Sequence, residues 1–383
     1  MPGGIFLPAA IYPKGSEAVI FSDGFGWGIL LDVPGTLEDR LRMGGIAMYH
    51  SGLVPGWILP DGRPQDPKNP EVRVYRIRRD YLTVSDEELR RDAASLLYKP
   101  PEMVTESEIE ALREQYRRDW EEWPVHLGAP FNDRNGNGMY DPGIDEPGIA
   151  DADQVIWLVA NDLDTFQTQF AWSSLPLGIE LQITWWAYDL PGALGQTHFR
   201  RYRLINKGSH HLDSLYIGPL SELDLGEYED DLVGCDSILE AGFVYNGTEN
   251  DRLFSKYGLP PPAAGYVLLQ GVIVPAPGDT AIFDFRTRPG FRNLPLRSFS
   301  YAVPNIFDPH INDHHYRIFN TLRGFQPLPD LAHPQPFRHG AGPLRGRETR
   351  FPLNGDPVTG TGDVAWLGDN PGPDDYRIYM GVG

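Results

Sequence analysis

Apolar positions along this chain recur mostly at every second residue, and glycines and prolines punctuate the runs. In IELQITWWAY (179–188), Ile179, Leu181, Ile183, Trp185 and Ala187 share one face. Glu180, Gln182, Thr184, Trp186 and Tyr188 share the other. That period of two is the period of a β-strand. The same reading predicts strands over 18–21, 27–33, 72–77, 154–160, 198–206, 214–218, 242–246, 266–274, 281–285 and 298–303. Short strands at regular spacing, separated by turn residues, point to a sandwich or jelly-roll.

The period changes once. SDEELRRDAASLLY (85–98) and TESEIEALREQYRRDWEEW (105–123) have apolar residues at helical spacing. Ser85 with Glu88, and Thr105 with Glu108, fit capping boxes. Lys99-Pro100-Pro101 separates the two helices and Pro124 ends the second. From 304 onward Pro, Gly, Asp and His dominate, which predicts long ordered loops with few strands. The expected fold is mainly β: a β-sandwich or jelly-roll-like body with an inserted α-helical hairpin and long Pro/Gly-rich loops. Residues 1–84 would be an N-terminal β segment of the main body, 85–123 the inserted hairpin, and 124–383 the main β-rich domain.

Composition narrows the chemistry. The formal net charge of the 383 residues is −20, which repels phosphate backbones and excludes nucleic acid as an expected partner. The same carboxylates suit divalent cations. Cys235 is the single cysteine, so no disulfide framework or cysteine-based zinc site is expected; it reads as a small buried thiol. No apolar run reaches the length of a transmembrane segment. MPGGIFLPAAIYPKG has neither the basic nor the continuous apolar region of a signal peptide. The chain therefore reads as cytoplasmic, or as a trimmed form of an exported protein.

The sharpest chemical signal is NDRNGNGMYDPGIDE (132–146). A calcium loop places oxygen ligands at alternate positions, because alternate side chains of a tightly curled loop point inward. Asp133, Asn135 and Asn137 supply the 1-3-5 spacing, with Gly138 at the sharp turn. The Met139 carbonyl and Asp141 follow at positions 7 and 9. Ile144 stands where an EF-hand needs its bidentate Glu, so Asp145 is the expected closing carboxylate of a shorter loop. That loop resembles those of thrombospondin type 3 repeats. The alternative is a metal-free cluster of Asx-turns.

A second acidic run, ELDLGEYEDDLVGCD (222–236), reads as a solvated loop or as a second calcium site drawn from Asp224, Asp230, Asp231 and Asp236. A carboxylate pair for glycoside hydrolysis is the third reading. In DPHINDHH (308–315), His310 and His314 have helical zinc spacing, but Pro309, Asn312 and Asp313 argue for a surface turn. Trp185-Trp186 puts aromatics on both faces of one strand, either as a sugar-stacking strip or as buried packing. G-x-S-x-G, H-E-x-x-H, the P-loop and a helix-opening G-x-G-x-x-G are all absent from the chain.

Several segments resemble a group of large secreted proteins from Bacteroidetes-like bacteria: WPVHLGAPFND (123–133), PLGIELQITWWAYD (176–189), FRRYRLINKGSHHLDSLYIG (199–218), LDLGEYEDDLVGCDSILEAGFVYNG (223–247), PPPAAGYVLLQG (260–271) and NGDPVTGTGD (354–363). That group is commonly exported by the type IX route and carries a sorting domain after a β-sandwich module. The resemblance implies an extracellular or cell-surface location and a β-rich body, with no catalytic residues to carry over. It also implies O-glycosylation at Asp213-Ser214, Asp236-Ser237 and Asp279-Thr280. The expected function is a secreted or surface calcium-stabilised structural or adhesive protein without catalytic activity. Its expected partners are other surface or matrix components, glycans among them. The alternative is a polysaccharide-binding module or glycoside hydrolase-like enzyme using the acidic cluster.

Overall fold

The period-two runs become strands in a computed structural model, which describes residues 10–48, 50–212, 214–303 and 313–383. His310 and Asp213, named above, lie outside the described residues. The chain is mainly β, with 35% strand against 18% helix. It divides into two compact units, one of Val54–Leu163 and Leu177–Ser209, the other of Met1–Leu53, Asp164–Pro176 and His210–Gly383.

The first of these is built on an antiparallel sheet in the order His198–Asn206, Ile179–Ala187, Gln154–Asn161, Val54–Pro55, with Tyr75–Arg78 also paired to Gln154–Asn161. Val155, Trp157 and Val159 alternate into a core with Tyr75, Ile77 and Trp123. Strand Ile179–Ala187 departs from expectation because its polar face is buried too: Glu180, Gln182 and Thr184 are all solvent-excluded. Each buried polar group then needs a partner. Glu180 accepts from Ile58 N–H at 2.9 Å and from Lys207 Nζ at 2.5 Å, and Gln182 donates to Leu127 O at 2.7 Å. Trp186 stacks on Phe199, with centroids 5.4 Å apart, and packs at the edge of the core.

The helical hairpin forms as its caps predict. Helices Asp86–Leu97 and Glu106–Glu121 each begin with a complete capping box, from Ser85 with Glu88 and from Thr105 with Glu108. Leu89, Ala93, Ile109, Leu112 and Tyr116 fill the space between them. Asp119 is fully buried and ties the second helix to the sheet, accepting from Arg73 Nε, Arg76 N–H and Gln115 Nε2 at 2.8–2.9 Å.

The other unit holds an antiparallel sheet in the order Ser298–Ala302, Arg377–Gly381, Leu215–Glu222, Ser22–Leu30, Leu41–Ile46. A three-stranded sheet, Asp231–Asp236, Ala241–Asn246 and Ala263–Val267, belongs to the same unit. Ile378 and Met380 enter one core with Val233, Cys235, Val244 and Phe299. Tyr379, between them, enters another with Trp172, Ile318, Phe319 and Leu322. Successive residues of Arg377–Gly381 thus serve opposite faces, as the strand period requires. Cys235 is the buried thiol expected, donating weakly to Pro352 O, and burial pushes its pKa well up.

Three local expectations change. Residues 266–274 are not one strand: Ala263–Val267 ends the three-stranded sheet and Ile273–Phe283 starts a separate hairpin with Arg286–Asn293. The strand expected at 281–285 is the end of that hairpin's first arm. Of the turn expected over 308–315, residues 308–312 lie outside the described residues, Asp313 is an exposed turn residue, and His314 begins a helix, His314–Leu322. His314 is not at the surface; it is 1% exposed, with Nε2 3.1 Å from Ala171 O.

Candidate metal centres

The loop 132–146 is closed at its neck by a two-stranded ladder, Phe131–Asn132 against Glu146–Pro147. Within it, the Asp133 carboxylate accepts N–H groups from Gly136 (2.7 Å), Asn137 (3.2 Å) and Gly138 (2.8 Å). Gly136 and Gly138 have φ of +72° and +78°, a region open to glycine at no steric cost, which lets the backbone curl around that carboxylate. Asn135 Oδ1 accepts from Asn137 N–H, and Asn137 Oδ1 from Met139 N–H. The Nδ2 groups of both asparagines converge on Asp141 Oδ2, at 2.7 and 2.6 Å. Asp145 is buried; it accepts from Arg134 N–H and Asp141 N–H at 2.9 and 2.7 Å. Arg134 pairs with Glu146. The structure therefore gathers Asp133, Asn135, Asn137, Asp141 and Asp145 into one turn, while the Met139 side chain is exposed.

The second acidic run behaves differently. It does not form a solvated loop, because Leu223, Leu225, Leu232 and Val233 draw it into the core. Asp231 opens the strand Asp231–Asp236 and is 1% exposed. Its Oδ2 accepts from Leu225 N–H at 3.0 Å, and its carbonyl accepts from Asp374 N–H at 3.1 Å. Those two bonds set Asp231 beside the chain neighbours of Asp224 and Asp375. Gly226, at φ +72°, permits the turn that brings Asp224 and Asp231 together; a Cβ there would meet Asp251 Oδ1 at 2.6 Å.

Glu222, Asp224 and Asp375 present carboxylate oxygens within 4.8 Å of one another. Strand pairing creates this cluster, since Glu222 lies directly opposite Arg377 in the ladder between Leu215–Glu222 and Arg377–Gly381. Arg377 is buried and forms an ion pair with Glu222. It also lies against Asp375 Oδ1 without the alignment of a hydrogen bond. Burial and the charges of Glu222 and Asp375 push the Asp224 carboxyl up to about 7. Burial, with Asp230, Asp224 and Asp251, pushes Asp231 up to about 9. Carboxylates packed this closely must share protons or a cation.

Asp230 sits next in the chain, with Oδ2 accepting from Thr248 Oγ1 at 2.7 Å. Asp236 does not join it. It lies five residues along an extended strand, about 16 Å at 3.3 Å per residue, and caps the hairpin turn by accepting from Ile238 and Leu239 N–H groups. Glu222 was visible within the acidic run but not singled out, and Asp375 and Arg377 gave no signal, being more than 150 positions from Glu222.

No protein-family model, no curated protein and no solved structure matches the chain.

Proposed function

We propose that the chain is a calcium-stabilised, β-rich structural or adhesive protein that works outside the cell or on its surface, among other surface or matrix components and glycans. The observation that carries this reading is the curl of 133–145. The first carboxylate accepts the N–H groups three, four and five positions on, and the side chains of Asn135, Asn137 and Asp141 are drawn to one point. Asp133, Asn135, Asn137, the Met139 carbonyl, Asp141 and Asp145 are the oxygens that calcium would use. Calcium's role there is structural, because every group in the set also shapes the loop. A loop of this kind is best served where calcium is plentiful, and extracellular modules bind it at up to about millimolar Kd.

The test is a melting curve with and without EDTA, alongside elemental analysis of the dialysed protein. A ligand held only by the folded state stabilises it by mass action, so chelation lowers Tm. Asp133→Ala removes the part of that shift belonging to the loop. An unchanged melting curve with no calcium in the protein rejects the reading. Labelling of intact source cells by an impermeant reagent tests the location.

A further inference from the structure

Burial of an oxygen acceptor without a donor is costly, and native interiors leave few such groups. One neighbourhood of this protein has several. Oδ1 of Asp224, Asp230, Asp231 and Asn246 are all solvent-excluded and have no hydrogen-bond partner among the described residues. Asp231 is 1% exposed, so bulk water does not reach its carboxylate. Asn246 lies directly opposite Asp231 in the ladder, and such pairs put their side chains on the same side of the sheet. Asp231 is hydrogen-bonded to the residue after Asp224 and the residue before Asp375.

All four are oxygens, and Asp375 Oδ1 is a fifth; Asp224 and Asp375 belong to the close carboxylate group with Glu222. We propose that Glu222, Asp224 and Asp375 hold one hard divalent cation of the calcium class, with Asp231 and Asn246 alongside. Two oxygens on opposite sides of a calcium ion at about 2.4 Å are about 4.8 Å apart. The separation of the Glu222, Asp224 and Asp375 oxygens fits within that limit. The all-oxygen set excludes the soft metals that need thiolate or imidazole. Arg377 is a positioning residue: it holds Glu222 and Asp375 side by side and offsets part of their charge. The site does not depend on the loop at 132–146, which lies in the other compact unit.

The deciding experiment is calorimetric titration of the EDTA-treated, dialysed full chain with calcium chloride, on the wild type, Asp133→Ala, Asp224→Asn and Asp375→Asn. Asp133→Ala isolates this site from the loop. It is expected to retain one calcium, and Asp224→Asn to weaken that binding at least tenfold. In EDTA, Asp224→Asn is expected to melt at or above the wild-type temperature, since it removes a buried repelling charge; in calcium the order reverses. A purely structural role for Asp224 gives no such reversal. If Asp224→Asn fails to fold, Asp375→Asn, which leaves the Arg377–Glu222 pair in place, is read instead. Asp133→Ala that binds no calcium overturns the proposal. So does calcium binding unchanged in both Asp224→Asn and Asp375→Asn. A wild type that binds one calcium, retained in Asp133→Ala and weakened in Asp224→Asn, rejects the loop and leaves this site standing.

Discussion

The loop 132–146 and the centre around Asp224 are both rich in carboxylates, yet they resolve their charge in opposite ways. The loop is mostly exposed and rich in donors. Six backbone N–H groups and two asparagine Nδ2 groups point at its side-chain oxygens. The centre is largely buried and has several acceptors without a donor among the described residues, with Arg377 as the cation set against Glu222 and Asp375. Acidic composition alone therefore says little about a cation. In the loop a cation would take over oxygens that N–H groups now hold; in the centre it would meet oxygens that have no donor among the described residues.

Arg377 holds the charge balance of the Asp224 centre. Removing one partner from a buried ion pair leaves an uncompensated charge and costs about 3–5 kcal/mol. Arg377→Met is expected to lose that much in denaturant unfolding in EDTA, and less with saturating calcium. An equal loss in both conditions would separate Arg377 from the cation.

A pH series in EDTA comes next. Asp224 and Asp231 have folded-state pKa values raised to about 7 and about 9, so the folded form holds its protons more tightly than the unfolded form. Their stabilising contribution is full below about pH 4, near the unfolded carboxylate value. It is lost as pH rises through about 7 and then about 9. The urea midpoint of the cation-free protein should fall across that window. Calcium affinity should rise over the same range, since binding must release those protons. A flat midpoint from pH 6 to 9 would show that neither carboxyl is perturbed.

Asp145→Ala probes the loop's own solution. It strips acceptors from the Arg134 and Asp141 N–H groups, and an unsatisfied buried group costs about 1–3 kcal/mol. Because the loop has many other donor–acceptor pairs, faster amide exchange should stay within 132–146. Spread of that exchange to the Asp224 centre would couple the two regions. The smallest expected effect is Thr105→Ala, which removes a helix N-cap at a cost of about 1 kcal/mol. It should lower Tm equally with and without calcium.

Legibility followed chain distance. The loop could be read because its oxygens recur within thirteen positions and glycines mark its turns. Half of the second centre could be read, since Asp224 and Asp231 fall in one acidic run. The remainder could not: Asp375 and Arg377 become neighbours of Glu222 only through the pairing of two strands distant in sequence. The strand Arg377–Gly381 was itself hidden, because all five residues are buried and no polar alternation marks it. Helix His314–Leu322 was hidden behind the turn-forming Asp313 at its N-cap.

Local periodicity and capping chemistry by themselves determined the mainly β character, the helical hairpin at 85–123 and the curl of the 132–146 loop. Each depends on residues a few positions apart. The fold of the whole chain decided that the acidic run enters a core, that Glu222 stands opposite Arg377, and that Asp231 is buried and Asp224 partly so. Burial and strand register belong to the whole chain, and they turn a row of acids into a candidate site for an ion.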